Sequence, residues 1–277
     1  LADLRAVHLV ADGRVPLARG MAPKPLPPGP DAPPADVAAW ILNDDIPASE
    51  REAFINAEIA QPKSRSPAAI IAAMAEALPT PAGSPEEYRR IPWIWRMAIA
   101  VGRSESPAAF SNVLRISLPA PGQPLQHWQA VVIGGGLING ITLSGRWPHE
   151  VISETIKGQR DLSERWQHSL QASKALAAAN TVPSGTRYDA LRMLALLPWP
   201  ESKSLLTEHL TADAHPELQM GAVSGLGDVP NEQATRLLIE AFPRLQSANQ
   251  QIAAAALQRT PERKKMAAEA GIQPGSK

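Results

Sequence analysis

Cysteine is absent from this chain of 277 residues. The absence excludes disulfide bonds, thiolate metal sites, cysteine nucleophiles and covalent haem attachment within the chain. Aromatic residues are scarce, at 4% of the sequence, although seven of them are tryptophan. Neither sign of charge is in excess, because lysine plus arginine and aspartate plus glutamate both number 27. We therefore expect no binding of nucleic acid, since such binding depends on a basic excess.

Long apolar runs and catalytic motifs are missing as well. No apolar run approaches the roughly 20 residues that a membrane-spanning helix needs, so we predict no membrane insertion. The N-terminus has no basic region followed by an apolar stretch, so we expect no signal peptide in this chain. No G-x-S-x-G nucleophile motif occurs, and the six histidines show no metal-binding spacing. The sequence thus predicts no catalytic residue, no metal site and no cofactor bound by this chain.

What the sequence does contain is a repeat with a period near 32 residues. The repeat is marked by Ala98, Ala130, Ala190, Ala222 and Ala254. The interval between Ala130 and Ala190 is about twice as long as the others. Apolar pairs such as Leu205-Leu206 follow a marker by 15 and 16 residues, and prolines such as Pro198 follow one by 8. This pattern is typical of a helical hairpin, which must stack on its copies to bury its apolar face. We therefore predict an all-α fold, an α-solenoid of stacked HEAT-like helical hairpins (an α-α superhelix).

The repeat divides the chain into three sections. Residues 1–90 form an irregular N-terminal helical section, 91–270 the HEAT-like array, and 271–277 a flexible polar tail. Within the first section we expect a helix over 1–11 and a helix over 50–60 capped by Ser49. The array is expected to begin with a helix over 92–101, and one long helix over 162–180 accounts for the double interval.

The stretch 22–34 contains seven prolines. Proline lacks a backbone N–H and has a restricted φ, so the stretch cannot form a helix or a central strand. It is expected to be extended, near polyproline II. Two roles remain open, a ligand for an aromatic groove and a strap between helices. The strap is favoured, because nothing in the sequence implies a groove-bearing partner.

The sequence VVIGGGLING at 131–140 allows two interpretations. In the first, Gly134 and Gly136 belong to a phosphate-binding loop after a strand, with Glu154 placed about 20 residues later to hold a ribose. In the second, the stretch is part of a helix, and its glycines let a neighbouring helix approach closely. Asn139 occupies the third glycine position of the phosphate-loop motif, and the repeat places the stretch on a first helix, so the helix is favoured.

Aromatic and basic residues recur at matching places in the first helices of the array. The candidate binding residues are Trp93, Trp95, Arg96, His127, Trp128, Arg187, Tyr188 and Arg192. One interpretation is a stripe along one surface of the solenoid, with the composition of an interface hot spot. The other is that the tryptophans fill the core between repeats while the arginines cap helices or pair with carboxylates.

Four stretches are more specific than a general repeat pattern: IPWIWRMAIAVGRSES followed by VLRISLP, PLQHWQAVVIGGGLINGITLSGRWP, GTRYDALRMLALLPW, and ELQMGAVSGLGDV. They resemble the helical-repeat region of PVC-type haem-binding proteins, also described as putative membrane-bound dehydrogenases, over residues 91–260. In that family the array connects a sugar-dehydrogenase-type β-propeller with a cytochrome c domain carrying C-x-x-C-H. This chain lacks cysteine and alternating strands, so no catalytic or haem residue of the family has a counterpart here.

The expected function is a non-catalytic scaffold for domain–domain or protein–protein interaction. The resemblance implies an exported, periplasmic, haem-containing protein of dehydrogenase type, with haem in a separate domain and with neighbouring domains as partners. The alternative is an enzyme or small-ligand-binding module with a pocket on the concave face near Trp95, Trp128 and Arg192. Nucleotide binding at 134–136 is a third, less favoured hypothesis.

Overall fold

A computed structural model describes residues 25–60, 65–76, 78, 84–120, 123 and 128–273. The predicted all-α class is confirmed over these ranges, where fourteen α-helices, one π-helical turn and one 3₁₀ turn occur and no strand is found. The helix expected over 1–11 and residues 274–277 of the tail lie outside the described residues.

The helices are short and closely spaced. The first seven are α1 (Pro34–Ile41), α2 (Ala48–Ala60), α3 (Pro67–Ala75), α4 (Pro85–Arg103), α5 (Pro107–Ile116), α6 (Gly134–Leu143) and α7 (Pro148–Ile156). The remaining seven are α8 (Arg160–Ala178), α9 (Ser184–Leu194), α10 (Trp199–Glu208), α11 (Pro216–Asp228), α12 (Glu232–Ala241), α13 (Ser247–Leu257) and α14 (Pro261–Glu269). The π-helical turn Trp128–Ile133 leads into α6, and the 3₁₀ turn Phe242–Arg244 follows α12.

Proline and small polar residues set where these helices begin. Eight helices, among them α5 and α14, have proline within the first two positions, where its missing N–H would have had no partner in the helix. The side chains of Ser84, Ser106, Asn231 and Thr260 each accept a hydrogen bond from an N–H of the first turn. The helix starts are therefore encoded locally.

Two predicted starts are wrong. Helix α4 begins at Pro85, capped by Ser84, and continues through Pro92, which was expected at its first position. Burial of Trp93 and Ile94 directly after Pro92 offsets the backbone hydrogen bond that this proline removes. Ser49 does not cap α2, because the helix begins at Ala48 and the carbonyl of Pro47 already accepts from the N–H of residue 50.

Five helices pack against one another in chain order and form what we call the first row: α4, α6, α9, α11 and α13. The repeat markers Ala98, Ala190, Ala222 and Ala254 lie on four of these helices and are all buried. The apolar pairs lie on α5, α10 and α12, which flank the row. The 32-residue period thus corresponds to one helix of the first row plus its flanking partner.

Glycine brings α4 and α6 into direct backbone contact. A Cβ atom at Gly140 would lie 2.2 Å from the carbonyl oxygen of Ile99, and one at Gly102 would lie 2.4 Å from that of Leu137. Neither position can accept a side chain without moving a backbone. The glycine stretch is therefore helical and serves helix packing, as favoured above, and the strand that a phosphate-binding loop requires is not present there.

Helices α9 and α11 are buried on nearly all sides. Every residue from 188 to 194 and from 221 to 229 is buried. A helix exposed along one side would alternate buried and exposed positions with a period near 3.6 residues. Their burial shows that the two helices occupy the centre of the packed assembly.

The described part of the proline-rich stretch, residues 25–33, forms neither helix nor strand and lies against α1. The indole N–H of Trp40 donates to the carbonyl of Pro25 at 3.3 Å. The guanidinium of Arg65 donates to the carbonyls of Gly29 and Ala32, and it also pairs with the buried carboxylate of Glu58 at 2.9 Å. These contacts agree with a strap that packs on helices.

Candidate functional site at the converging helix ends

Arginine side chains cap the C-terminal ends of helices throughout the chain. The last carbonyls of an α-helix have no partner within the helix and carry its negative dipole end, so a guanidinium is a suitable donor. Guanidinium groups from other elements donate to the carbonyls of Ile41, Leu42, Met74, Gly102, Leu118, Ala177 and Gly227. These bonds connect each capped helix to a neighbouring element.

The densest group of such contacts lies where four first-row helices end. We call Thr142, Arg192, Asp228 and Arg259 the Asp228 hub. The carboxylate of Asp228, at the end of α11, accepts from Arg192 of α9 at 2.8 Å, from Arg259 after α13 at 2.8 Å and from Thr142 of α6 at 2.7 Å. One buried carboxylate therefore links α6, α9, α11 and the segment after α13.

The charged side chains of the hub are almost completely shielded from solvent. The side chain of Asp228 is 0% exposed, that of Arg192 is 4% exposed and that of Arg259 is 13% exposed. Arg192 also donates to Thr142 at 3.1 Å, to Asn139 at 3.1 Å and to the hydroxyl of Tyr188 at 3.3 Å. Burial lowers the pKa of Arg192, but its contacts with Tyr188 and Asp228 outweigh that effect and raise the pKa above the usual value. Arg192 is therefore cationic at every practical pH.

A second layer of contacts lies beside the hub, around Trp147. The guanidinium carbon of Arg259 lies 3.8 Å from the centre of the Trp147 ring, and that of Arg263 lies 5.2 Å from it. Arg263 donates to the carbonyls of Gly227 and Val229. Burial and the neighbouring charge of Arg259 lower the pKa of Arg263 to about 10, which still leaves it charged at neutral pH.

A further buried polar contact joins α4 to α9. The indole N–H of Trp95 donates to the carboxylate of Asp189 at 3.1 Å. Asp189 is fully buried, and a Cβ atom on Gly135 would lie 2.6 Å from its Cβ atom. The glycine of α6 therefore makes room for the aspartate of α9.

The candidate residues from the sequence fall into two clusters. Trp93 is buried, and the guanidinium carbons of Arg51 and of the half-buried Arg96 lie 4.1 and 4.9 Å from its ring centre. Tyr188 and Arg192 form the second cluster, and both are buried. Burial places these residues inside the helix packing and not on an exposed stripe.

The other candidates are half-buried or not described. Arg187 is half-buried and caps α8 through a bond to the carbonyl of Ala177 at 2.9 Å. Trp95 is half-buried and bonded to Asp189 as above. His127 and the side chain of Trp128 lie outside the described residues.

Five residues of the hub and its second layer were not predicted from the sequence: Thr142, Asp228, Arg259, Arg263 and Trp147. One signal for Asp228 was present. An acidic residue at the C-terminal end of a helix is disfavoured by the helix dipole, so its position after the apolar stretch of α11 indicates a cationic partner. The sequence does not identify that partner, because Arg192 and Arg259 lie 36 and 31 residues away.

Over the described ranges, a metal site and a membrane-spanning helix find no support, and an apolar groove is present. No group of three histidine or acidic side chains there is arranged to hold a metal ion, and none of the helices there combines the length and apolarity needed to cross a bilayer. A groove of about 810 Å³ lies between the start of α1, the helix α3 and the end of α5. Its lining is mostly apolar, and its Arg165 is bonded to the carbonyls of Leu118 and Pro119.

Comparison with known proteins gives no relative from which a function can be transferred. No protein-family model matches the chain, and neither a curated protein nor a solved structure matches it. The resemblance to PVC-type haem-binding proteins therefore stays a prediction.

Proposed function

We propose that this chain is a non-catalytic α-solenoid of HEAT-like hairpins that holds other domains or proteins in a fixed arrangement. The observation that carries the proposal is the Asp228 hub. Its ion pairs and hydrogen bonds are directed at neighbouring helices of the chain itself, at distances of 2.7 to 3.1 Å. Buried ion pairs contribute little net stability over apolar packing, so their value here is in fixing relative helix positions.

The placement of the repeat residues also supports a repeat scaffold. Buried alanines at the 32-residue spacing lie on the first-row helices α9, α11 and α13, and apolar pairs lie on the flanking helices α10 and α12. In a repeat protein each unit contacts mainly its neighbours, and a stiff surface results. A scaffold of this kind acts through geometry and needs no reacting group.

The wider context of the proposal is an exported, haem-containing protein of dehydrogenase type. The proposed partners are neighbouring domains of the same polypeptide, and haem would be carried by a separate domain. The support for this context is the resemblance of residues 91–260 to the helical region of PVC-type haem-binding proteins. The chain itself has no cysteine to attach haem.

A small-ligand-binding module is the second candidate, and the groove of about 810 Å³ is the observation that favours it. A groove of this volume is large enough for a small organic ligand. The location expected from the sequence for such a pocket, near Arg192, is less suitable, because the side chain of Arg192 is 4% exposed.

The test of the scaffold proposal uses the natural protein. An antibody against residues 91–260 isolates the native species, whose intact mass and haem absorbance are then measured. A haem-bearing polypeptide much larger than 29.6 kDa is the expected result. A haem-free species of that mass would contradict the multidomain context and would leave a free-standing scaffold or a ligand-binding module.

Thermal unfolding then separates these two. A ligand that binds only the folded state adds RT ln(1 + [L]/Kd) to the free energy of unfolding and so raises the melting temperature. For a scaffold, we expect no shift with NAD, FAD, ATP or aliphatic carboxylates at about millimolar concentration. A concentration-dependent rise that is lost when Ala73, in the groove lining, is replaced by Trp would support the ligand-binding module instead.

A further inference from the structure

The last hairpin of the chain makes a contact that its place in the packing order does not require. In the first row, α9 and α11 lie between α6 and α13. Nevertheless, Arg259 after α13 donates to the carbonyl of Arg146 after α6 at 2.8 Å, across a sequence separation of 113 residues. The ends of α6 and α13 are therefore drawn together past the ends of two intervening helices.

The contact is made by the guanidinium of Arg259, whose hydrogen-bond acceptors all lie near the ends of α6 and α11. Arg259 donates to the carboxylate of Asp228 at 2.8 Å, to the carbonyl of Gly227 at 2.9 Å and to the carbonyl of Arg146, while its plane lies over Trp147. The planar five-donor fork of arginine can satisfy these partners together, and a lysine ammonium on a flexible stem cannot. The geometry is therefore specific to arginine.

We infer that Arg259 and Trp147 form a conformational latch. The latch holds the hairpin α13–α14 against the end of α6 and so keeps the ends of α6 and α13 together. The inference concerns motion within the chain, and it stands whether or not the chain serves as a scaffold. With the latch closed, α9 and α11 are buried, and so is Arg192. With the latch open, the hairpin α13–α14 is still held by its packing on α11, by the bond from Asn249 to Gln219 and by the bonds from Arg263 to the carbonyls of Gly227 and Val229.

The latch can be removed without emptying the hub. When Arg259 is replaced by Gln, the carboxylate of Asp228 still accepts from Arg192 at 2.8 Å and from Thr142 at 2.7 Å. The buried ion pair between α9 and α11 is therefore retained. The substitution removes the hydrogen bond to Arg146 and the closer of the two guanidinium contacts with Trp147, and it leaves the contact of Arg263 with Trp147 at 5.2 Å and the connections between neighbours.

The absence of cysteine makes the test direct, because two introduced cysteines are the only labelling sites. Leu143→Cys lies at the end of α6, where the side chain is 55% exposed, and Lys265→Cys lies on an exposed position of α14. Nitroxide labels at these positions report the separation of the two hairpins by pulsed electron paramagnetic resonance. We expect one narrow distance distribution for the otherwise unchanged chain and a broader, longer one for Arg259→Gln.

The matched control is Arg236→Gln, which removes an arginine from an exposed i,i+4 ion pair with Glu232 on α12. The control should keep the narrow distribution, and Arg259→Lys should behave like Arg259→Gln because charge alone does not hold the latch. The same narrow distribution in Arg259→Gln as in the control would overturn the inference.

Hydrogen exchange covers the case in which Arg259→Gln is too unstable for distance measurement. Loss of the latch predicts faster exchange confined to residues 143–147 and 259–269, with unchanged protection in α4. A uniform increase over α4 and α14 alike would show global destabilisation and would overturn the latch.

Discussion

Replacement of Asp228 by asparagine tests whether the hub determines the stability of the first row. The asparagine side chain has nearly the volume of the aspartate that it replaces, so a cavity would not explain the result. The change removes the buried carboxylate that faces both Arg192 and Arg259. Two guanidinium groups, with side chains 4% and 13% exposed, are then left without this counter-charge.

The size of the effect follows from burial. Breaking a buried ion pair by removing one partner costs about 3–5 kcal/mol, because the remaining charge stays desolvated. For a domain of this size, each kcal/mol lowers the melting temperature by about 2 °C. We therefore expect the free energy of unfolding of Asp228→Asn to fall by about 3–5 kcal/mol and its melting temperature by roughly 6–10 °C.

Urea unfolding followed by circular dichroism measures this change, with the slope of the transition compared between variants. The matched control is Glu232→Gln, the same acid-to-amide change in an exposed pair with Arg236, which should cost about 0.5 kcal/mol or less. A loss for Asp228→Asn within about 1 kcal/mol of the control would refute the reasoning, because a buried pair should differ from an exposed one by more.

Three further predictions concern packing, a buried hydrogen bond and pH. Gly140→Ala should destabilise the fold by about 1–3 kcal/mol in urea unfolding, since its Cβ would lie 2.2 Å from a carbonyl oxygen, whereas Gly29→Ala, with open space around it, should be neutral. Trp95→Phe should cost about 1–3 kcal/mol by the same assay, because it removes an indole donor from the buried carboxylate of Asp189; an unchanged urea midpoint would argue against that bond. Burial lowers the pKa of His209, so the unfolded chain binds more protons and stability should fall as pH drops below about 6.5. His209→Gln should flatten that pH dependence of the melting temperature, and equal slopes for the two proteins would count against the assignment.

Much of the secondary structure is predictable because its causes are local. The long helix predicted over 162–180 corresponds to α8, which begins and ends two residues earlier. Proline in the first turn, side-chain caps and apolar spacing all act within a few residues of the position they determine.

Where a feature depends on tertiary contacts, prediction from the sequence is wrong or leaves alternatives open. Pro92 was expected to begin a helix, but burial of Trp93 and Ile94 in the tertiary structure carries α4 through it. For Tyr188 and Arg192 the sequence left open an exposed stripe or a place inside the packing, and they are buried because α9 is enclosed by other helices. Exposure depends on which elements surround a helix, and residue type and periodicity do not report that.

The sequence by itself determined the all-α class, the long helix α8 to within two residues and the 32-residue spacing of the buried alanines, since each depends on neighbours along the chain. The tertiary structure decided that the ends of α6, α9, α11 and α13 meet at one carboxylate. The bonds of Asp228 to Thr142 and Arg192 and the bond of Arg259 to Arg146 span 86, 36 and 113 residues. Such partners are selected by the geometry of packed helices, where a buried charge must find its counter-charge wherever the fold places it.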